Sequence, residues 1–156
     1  MEIKHIEPFI GATVNMFRDM LGLESEYRTP YIMDRNETHD WDISGIIGIG
    51  GDSKGVIVIS FEAGLAKKIT AMLTGSDEAS EDDIVDAVGE LVNIVAGNAK
   101  KGLEQFHLNI SLPSIVRGVD HEISWPSNTP IVSIPFSLPQ GRFQLSVGLE
   151  NLISAV

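Results

Sequence analysis

The chain contains no cysteine, which excludes thiol nucleophiles, disulfide staples and thiolate metal sites. Basic residues are scarce: 11 lysines and arginines stand against 22 aspartates and glutamates, a net charge of −11. A surface that negative repels phosphodiester backbones, and no Lys/Arg cluster offsets it locally, which argues against nucleic acid as a partner. Long apolar runs are missing as well, and none approaches the roughly 18 residues needed to span a bilayer. The opening MEIKHIEPF lacks the basic start and continuous apolar stretch of a signal peptide. These absences together give the expectation of a cytoplasmic protein that does not engage a membrane.

What is present reads as a globular domain. The 156 residues are 43% hydrophobic and 21% charged, which predicts one domain over 1–156 with one core. Apolar residues at spacings of three and four (Ile3, Ile6, Ile10, Val14, Phe17, Leu21) predict a helix over 3–21 that Gly22 stops. Residues 27–34 read as an edge strand or bulge because of Pro30. Residues 42–50 and 55–61 flank a hairpin turn, and 63–74 read as a short helix ended by Gly75. A longer helix is predicted over 81–106, with Ser80 as its N-cap and Glu81, Asp82 and Asp83 in its first turn. Strands follow at 109–117, 121–125, 130–138 and 142–150, the last two alternating cleanly around a Pro139-Gln140-Gly141 turn. The expected fold class is α+β, two-layer, with long helices on one face of a mainly antiparallel sheet.

The helix over 81–106 carries the informative pattern. Taking Asp86 as zero, steps of about 100° place Glu90 near +40°, Asn93 near −20° and Gly97 near +20°. Val88, Leu91, Val92, Val95 and Ala99 fall between about 140° and 240°. The apolar stripe therefore faces the sheet, and the Asp-Glu-Asn-Gly stripe faces water. Any solvated helix needs a polar face, but Gly97 in mid-helix costs about 1 kcal/mol relative to alanine. Asn93 is a weak helix former with no cap or turn to explain it. A face that gives up helix stability for a small residue beside an amide and a carboxylate suggests close docking.

Residues 86–100, DAVGELVNIVAGNAK, resemble the signature helix of the CheC/CheX/FliY phosphatases of bacterial chemotaxis. The pattern is Asp or Ser, three residues, Glu, two residues, Asn, and Gly four residues later; Asp86, Glu90, Asn93 and Gly97 fill it. The likeness spans about 45–150, and the GELVNIVAGNAK wording is nearest the CheX branch. The resemblance implies a CheC-like fold and an aspartyl-phosphate phosphatase acting on a CheY-like response regulator. Glu90 and Asn93 are then catalytic: the Asn93 amide orients the attacking water, and Glu90 pairs with the regulator's active-site lysine. Asp86 and Gly97 contact the partner. No cofactor belongs to this chain, because Mg²⁺ comes with the phosphorylated partner. A homodimer joined through the sheets is also implied. In some relatives the first helix carries a second Glu-x-x-Asn pair. Here that place reads Ala12-Thr13-Val14-Asn15, which leaves one site per chain and makes Asn15 an ordinary residue. The alternative function is a non-catalytic adaptor that binds a response regulator; the presence of both Glu90 and Asn93 argues against a decayed site.

Other constellations are weaker. Gly48, Gly50, Gly51 and Gly55 precede a strand and not a helix, so they do not form a phosphate-cradling loop. His39, Asp40 and Asp42 lack a second ligand cluster at recognisable spacing, so no metal site is expected. His5, His107 and His121 read as isolated. Trp41 and Trp125 read as core or interface anchors.

Overall fold

Proline and glycine mark where the chain changes direction. The computed structural model describes residues 3–119, 121–126 and 129–153. Helix α1 (Glu7–Leu21) begins later than its apolar spacing predicts. His5 stands at φ 62°, a left-handed conformation that interrupts helix. Ile6 is nonetheless buried against the core, so the segment before the helix extends the apolar period. Gly22, at φ 64°, ends α1 as expected.

The sheet contains eight strands among the described residues: β1 (Glu26–Tyr27), β2 (Tyr31–Ile32), β3 (Ile43–Gly51), β4 (Gly55–Phe61), β5 (Leu108–Ile110), β6 (Ser114–Arg117), β7 (Val132–Leu138) and β8 (Gly141–Leu149). Their order is β1-β7-β8-β4-β3-β5, with β2 also on β7 and β6 also on β3. Every pairing is antiparallel. Two predicted strands are broken in two. The 27–34 run divides around Pro30, which has no N–H to donate, and the 109–117 run divides around Ser111–Pro113. Residues 121–125 form no strand. Instead His121 lies buried against the sheet and bonds to Ser44.

Register explains the core. Ile43, Gly45 and Ile47 of β3 pair with Phe61, Ile59 and Ile57 of β4, and these pair with Phe143, Leu145 and Val147 of β8. Val132, Ile134 and Phe136 of β7 complete the same face. Side chains alternate along a strand, so these rows form one apolar surface. Helices α1, α2 (Ala63–Thr74) and α3 (Glu81–Lys101) pack on it. The opposite face presents serines. Ser44 and Ser60 stand 2.6 Å apart, and Ser133 and Ser146 2.9 Å apart. These hydroxyls are buried in pairs that satisfy one another.

Helix α3 stops at Lys101, five residues before the predicted end at 106. Pro8 of α1 closes on Gly102, where an added Cβ would stand 2.8 Å from the proline Cβ. The chain then turns through the Leu103–Phe106 bond, while Leu103 keeps the apolar period by staying buried.

Candidate functional site

The site helix is fixed at its start, along its underside and at its end. Ser80 Oγ accepts from the Asp83 N–H at 3.1 Å, and Asp83 Oδ2 accepts from the Ser80 N–H at 3.1 Å. This reciprocal cap satisfies two donors that a helix start otherwise leaves open. Val88, Leu91, Val92, Val95 and Ala99 are all buried. Gly45 of β3 lets α3 lie close to the sheet: a Cβ there would come within 3.0 Å of Val92 Cγ1 and 3.1 Å of Val88 Cγ1. Lys100 and Lys101 occupy the last turn, where positive charge complements the helix dipole.

That seat leaves the predicted stripe facing outward. Asp86, Glu90 and Asn93 are exposed and Gly97 is partly so. Residues three or four apart on a helix bring their Cβ atoms to about 5–6 Å, so the Glu90 carboxylate and the Asn93 amide reach the same small target. Among the described residues, no hydrogen bond or ion pair engages either side chain, so both are available to a visiting molecule. A Cβ built at Gly97 meets nothing within 4 Å. Nothing among the described residues therefore requires glycine there.

The stripe lies on the outer face of α3, apart from two clefts. One cleft of about 390 Å³ lies between the starts of α2 and α3, against Asp42, Lys67, Glu81 and Arg117. Another of about 560 Å³ lies between residues 35–39 and 122–125. Neither is lined by Glu90 or Asn93. Small-molecule sites are concave; a pair on the outer face of a helix suits a macromolecule that brings its own reactive centre.

The second helix position is closed. Asn15 of α1 is exposed, but Ala12, three residues before it, is 6% exposed in the core and leaves no place for a carboxylate. His121 is not isolated. Its Nε2 lies 2.7 Å from Ser44 Oγ and 3.0 Å from His39 Nε2, and its Nδ1 lies 3.1 Å from the Gly118 carbonyl. No sequence signal joins these residues, which come from distant segments brought together by the sheet. Ser44 is fully buried, and the adjoining clefts are lined by His39 but not by Ser44. The group is a closed polar contact and not an accessible nucleophile. Asp42 Oδ2 accepts the Ala63 N–H at 2.7 Å at the start of α2. No group of three or more His, Asp or Glu among the described residues could hold a metal ion.

Known proteins resemble this chain over nearly its whole length. The family model described as chemotaxis phosphatase CheX matches residues 43–137. The CheY-P phosphatase CheX of Thermotoga maritima is 30% identical over 97% of this chain and 99% of its own length. The chain belongs to the CheX family. The crystal structure of a chemotaxis protein CheX from Desulfovibrio desulfuricans superposes with a TM-score of 0.86 at 30% identity, covering 94% of this chain and 99% of that one. A CheX from Borrelia burgdorferi, solved in complex with CheY, BeF3 and Mg²⁺, gives 0.77 at 26% identity over 95% of this chain and 99% of that one. The expected α+β, CheC-like architecture is thus the observed one. The match to the CheX model includes all of α3 and its stripe.

Proposed function

We propose that this chain hydrolyses the aspartyl-phosphate of a CheY-like response regulator, with Glu90 and Asn93 as the catalytic pair. The observation that carries the reading is the pair itself: a carboxylate and an amide, both exposed and unengaged, on the outer face of a helix whose inner face is buried against the sheet. The named activity of the Thermotoga maritima relative and the CheX–CheY complex of the Borrelia burgdorferi relative support the choice of substrate.

The chemistry asks little covalent work of the protein. Water attacks the phosphorus, the bond to the aspartyl oxygen breaks, and the aspartate leaves as a carboxylate while one water proton passes to phosphate or solvent. Catalysis then rests on positioning and charge placement. The Asn93 amide accepts from the attacking water through its oxygen and donates to the phosphoryl group through its nitrogen. Glu90 pairs with the regulator's lysine and fixes the two surfaces in register. Asp86 lies along the docked face, and Gly97 lets the partner's backbone approach. Mg²⁺ belongs to the regulator and, when bound there, neutralises phosphoryl charge.

In this reading residues 1–156 act as one cytoplasmic phosphatase domain that forms a homodimer through its sheets. Tyr27 and Ile32 support the dimer, because they expose apolar surface on the short β1 and β2 edge, 49% and 37% respectively. Light scattering that finds only monomer would overturn the dimer alone.

The decisive experiment follows loss of the phosphoryl group from a phosphorylated CheY-like regulator with Mg²⁺. Asn93→Ala should abolish the rate increase while leaving regulator binding intact. Glu90→Ala should weaken binding as well. Full activity in both variants would overturn the assignment.

A further inference from the structure

We infer that Leu112 is an apolar anchor for the docked response regulator, which sets affinity and takes no part in the chemistry. The inference rests on the function proposed above and adds a recognition residue from outside the signature helix. Leu112 is 87% exposed, more than any other large hydrophobic residue described.

Its position is fixed from both sides. The Ser111 N–H donates to the Gly48 carbonyl at 2.9 Å, and the Gly48 N–H donates to Ser111 Oγ at 2.9 Å. Ser111 Oγ also donates to the Leu112 carbonyl at 2.9 Å. On the other side, the Pro113 ring and Ile115 close on Gly89 of α3, lying 3.6 and 3.7 Å from where a Cβ would stand. Between these two attachments the Leu112 side chain can only project outward.

The projection borders the catalytic face. Around the axis of α3, Gly89 lies near −60° and Asn93 near −20°, and the two are one turn apart, ~6 Å along the helix. Leu112 therefore stands on the Asn93 flank of the stripe. A protein interface covers about 800 Å² on each partner, a disc of roughly 16 Å radius. A regulator centred on Glu90 and Asn93 covers Leu112 within that footprint. Burying a leucine side chain that is otherwise in water is worth about 1.5–3 kcal/mol, enough for one such residue to change affinity tenfold or more. The partner surface that fits is an apolar patch beside the phosphorylated aspartate. A second copy of this chain is the competing occupant, but the apolar residues suited to that contact, Tyr27 and Ile32, lie on the opposite edge of the sheet.

The test titrates this protein with a CheY-like receiver carrying beryllofluoride and Mg²⁺, which holds the acyl-phosphate geometry without turnover. Leu112→Ala should raise Kd about tenfold and Leu112→Asp further, while Leu112→Met stays near wild type. With phosphorylated receiver, Leu112→Ala should raise KM and leave kcat unchanged. Thermal melting should not shift, because the side chain supports nothing within the chain. If Leu112→Asp binds as wild type does, the inference falls and the proposed function stands. If Leu112→Asp changes oligomeric state and leaves Kd unchanged, the surface belongs to a second copy and the inference again falls. A wild-type protein that binds no such receiver overturns the inference and the proposed function together.

Discussion

Substituting Gly97 by alanine should stabilise the protein and impair it at once. In a helix interior, glycine is about 0.8–1.0 kcal/mol less favourable than alanine. The gain is realised only where the methyl group has room, and a Cβ at Gly97 meets nothing within 4 Å. The full increment of about 1 kcal/mol should therefore appear, raising the melting temperature by ~2–4 °C for a chain of this size. Docking should move the other way. A methyl group forced into a closely packed contact costs ~1–3 kcal/mol in protein cores. The same penalty at the interface would raise KM by roughly 5- to 150-fold. The assay pairs thermal unfolding, at one protein concentration so that association does not shift the midpoint, with dephosphorylation over a range of regulator concentrations. A variant that melts no higher would refute the claim that glycine is unneeded for folding. A variant that melts higher yet retains wild-type KM would refute the claim that a partner approaches there.

Further outcomes follow from the way the site helix is held. Gly45→Ala places a Cβ within 3.0 Å of Val92 Cγ1 and should cost ~1–3 kcal/mol of stability; an unchanged urea midpoint would show that α3 does not sit as closely as described. Ser80→Ala removes the reciprocal cap and should cost ~1 kcal/mol. It should leave kcat intact, since Ser80 lies ten residues, ~15 Å of helix, from Glu90. Tyr31 donates to Glu37 at 3.1 Å, and partial burial, followed by the Glu37 carboxylate, raises its pKa above the ordinary 10.0. The folded protein thus holds this proton more tightly than the unfolded chain does. That contribution is complete below about pH 10 and disappears as pH rises through the folded value. Stability should fall with alkali less steeply in Tyr31→Phe than in wild type; equal slopes would count against the coupling.

Much of this arrangement could be read from the chain alone because its signals are local. Ser80, Asp83, Gly22 and Gly75 act on their own neighbours, and alternation in 132–138 and 141–149 needs only the next strand. The stripe of Asp86, Glu90, Asn93 and Gly97 was visible because helical geometry converts spacing directly into direction. The chain departs from its local pattern where distant segments decide. The apolar pattern runs on through Leu103, but α3 ends at Lys101, with Gly102 as its C-cap packed closely against Pro8. Residues 121–125 read as a strand by pattern, yet the ladder position on β3 is filled by β6, and His121 instead meets Ser44 from 77 residues away. Leu112 carries no sequence signal at all. Its exposure follows from Ser111 meeting Gly48 and Pro113 meeting Gly89, two contacts that no periodicity encodes.

If Glu90 and Asn93 act as proposed, a pair carried on the outer face of a helix has no enclosing cleft in which to sort substrates by size or shape. Free acyl phosphates would then find few walls to hold them, and selectivity would come from the breadth of surface that a visiting protein can match. Such a design lets the rim around α3 change its recognition of one regulator over another while the carboxylate and amide stay fixed.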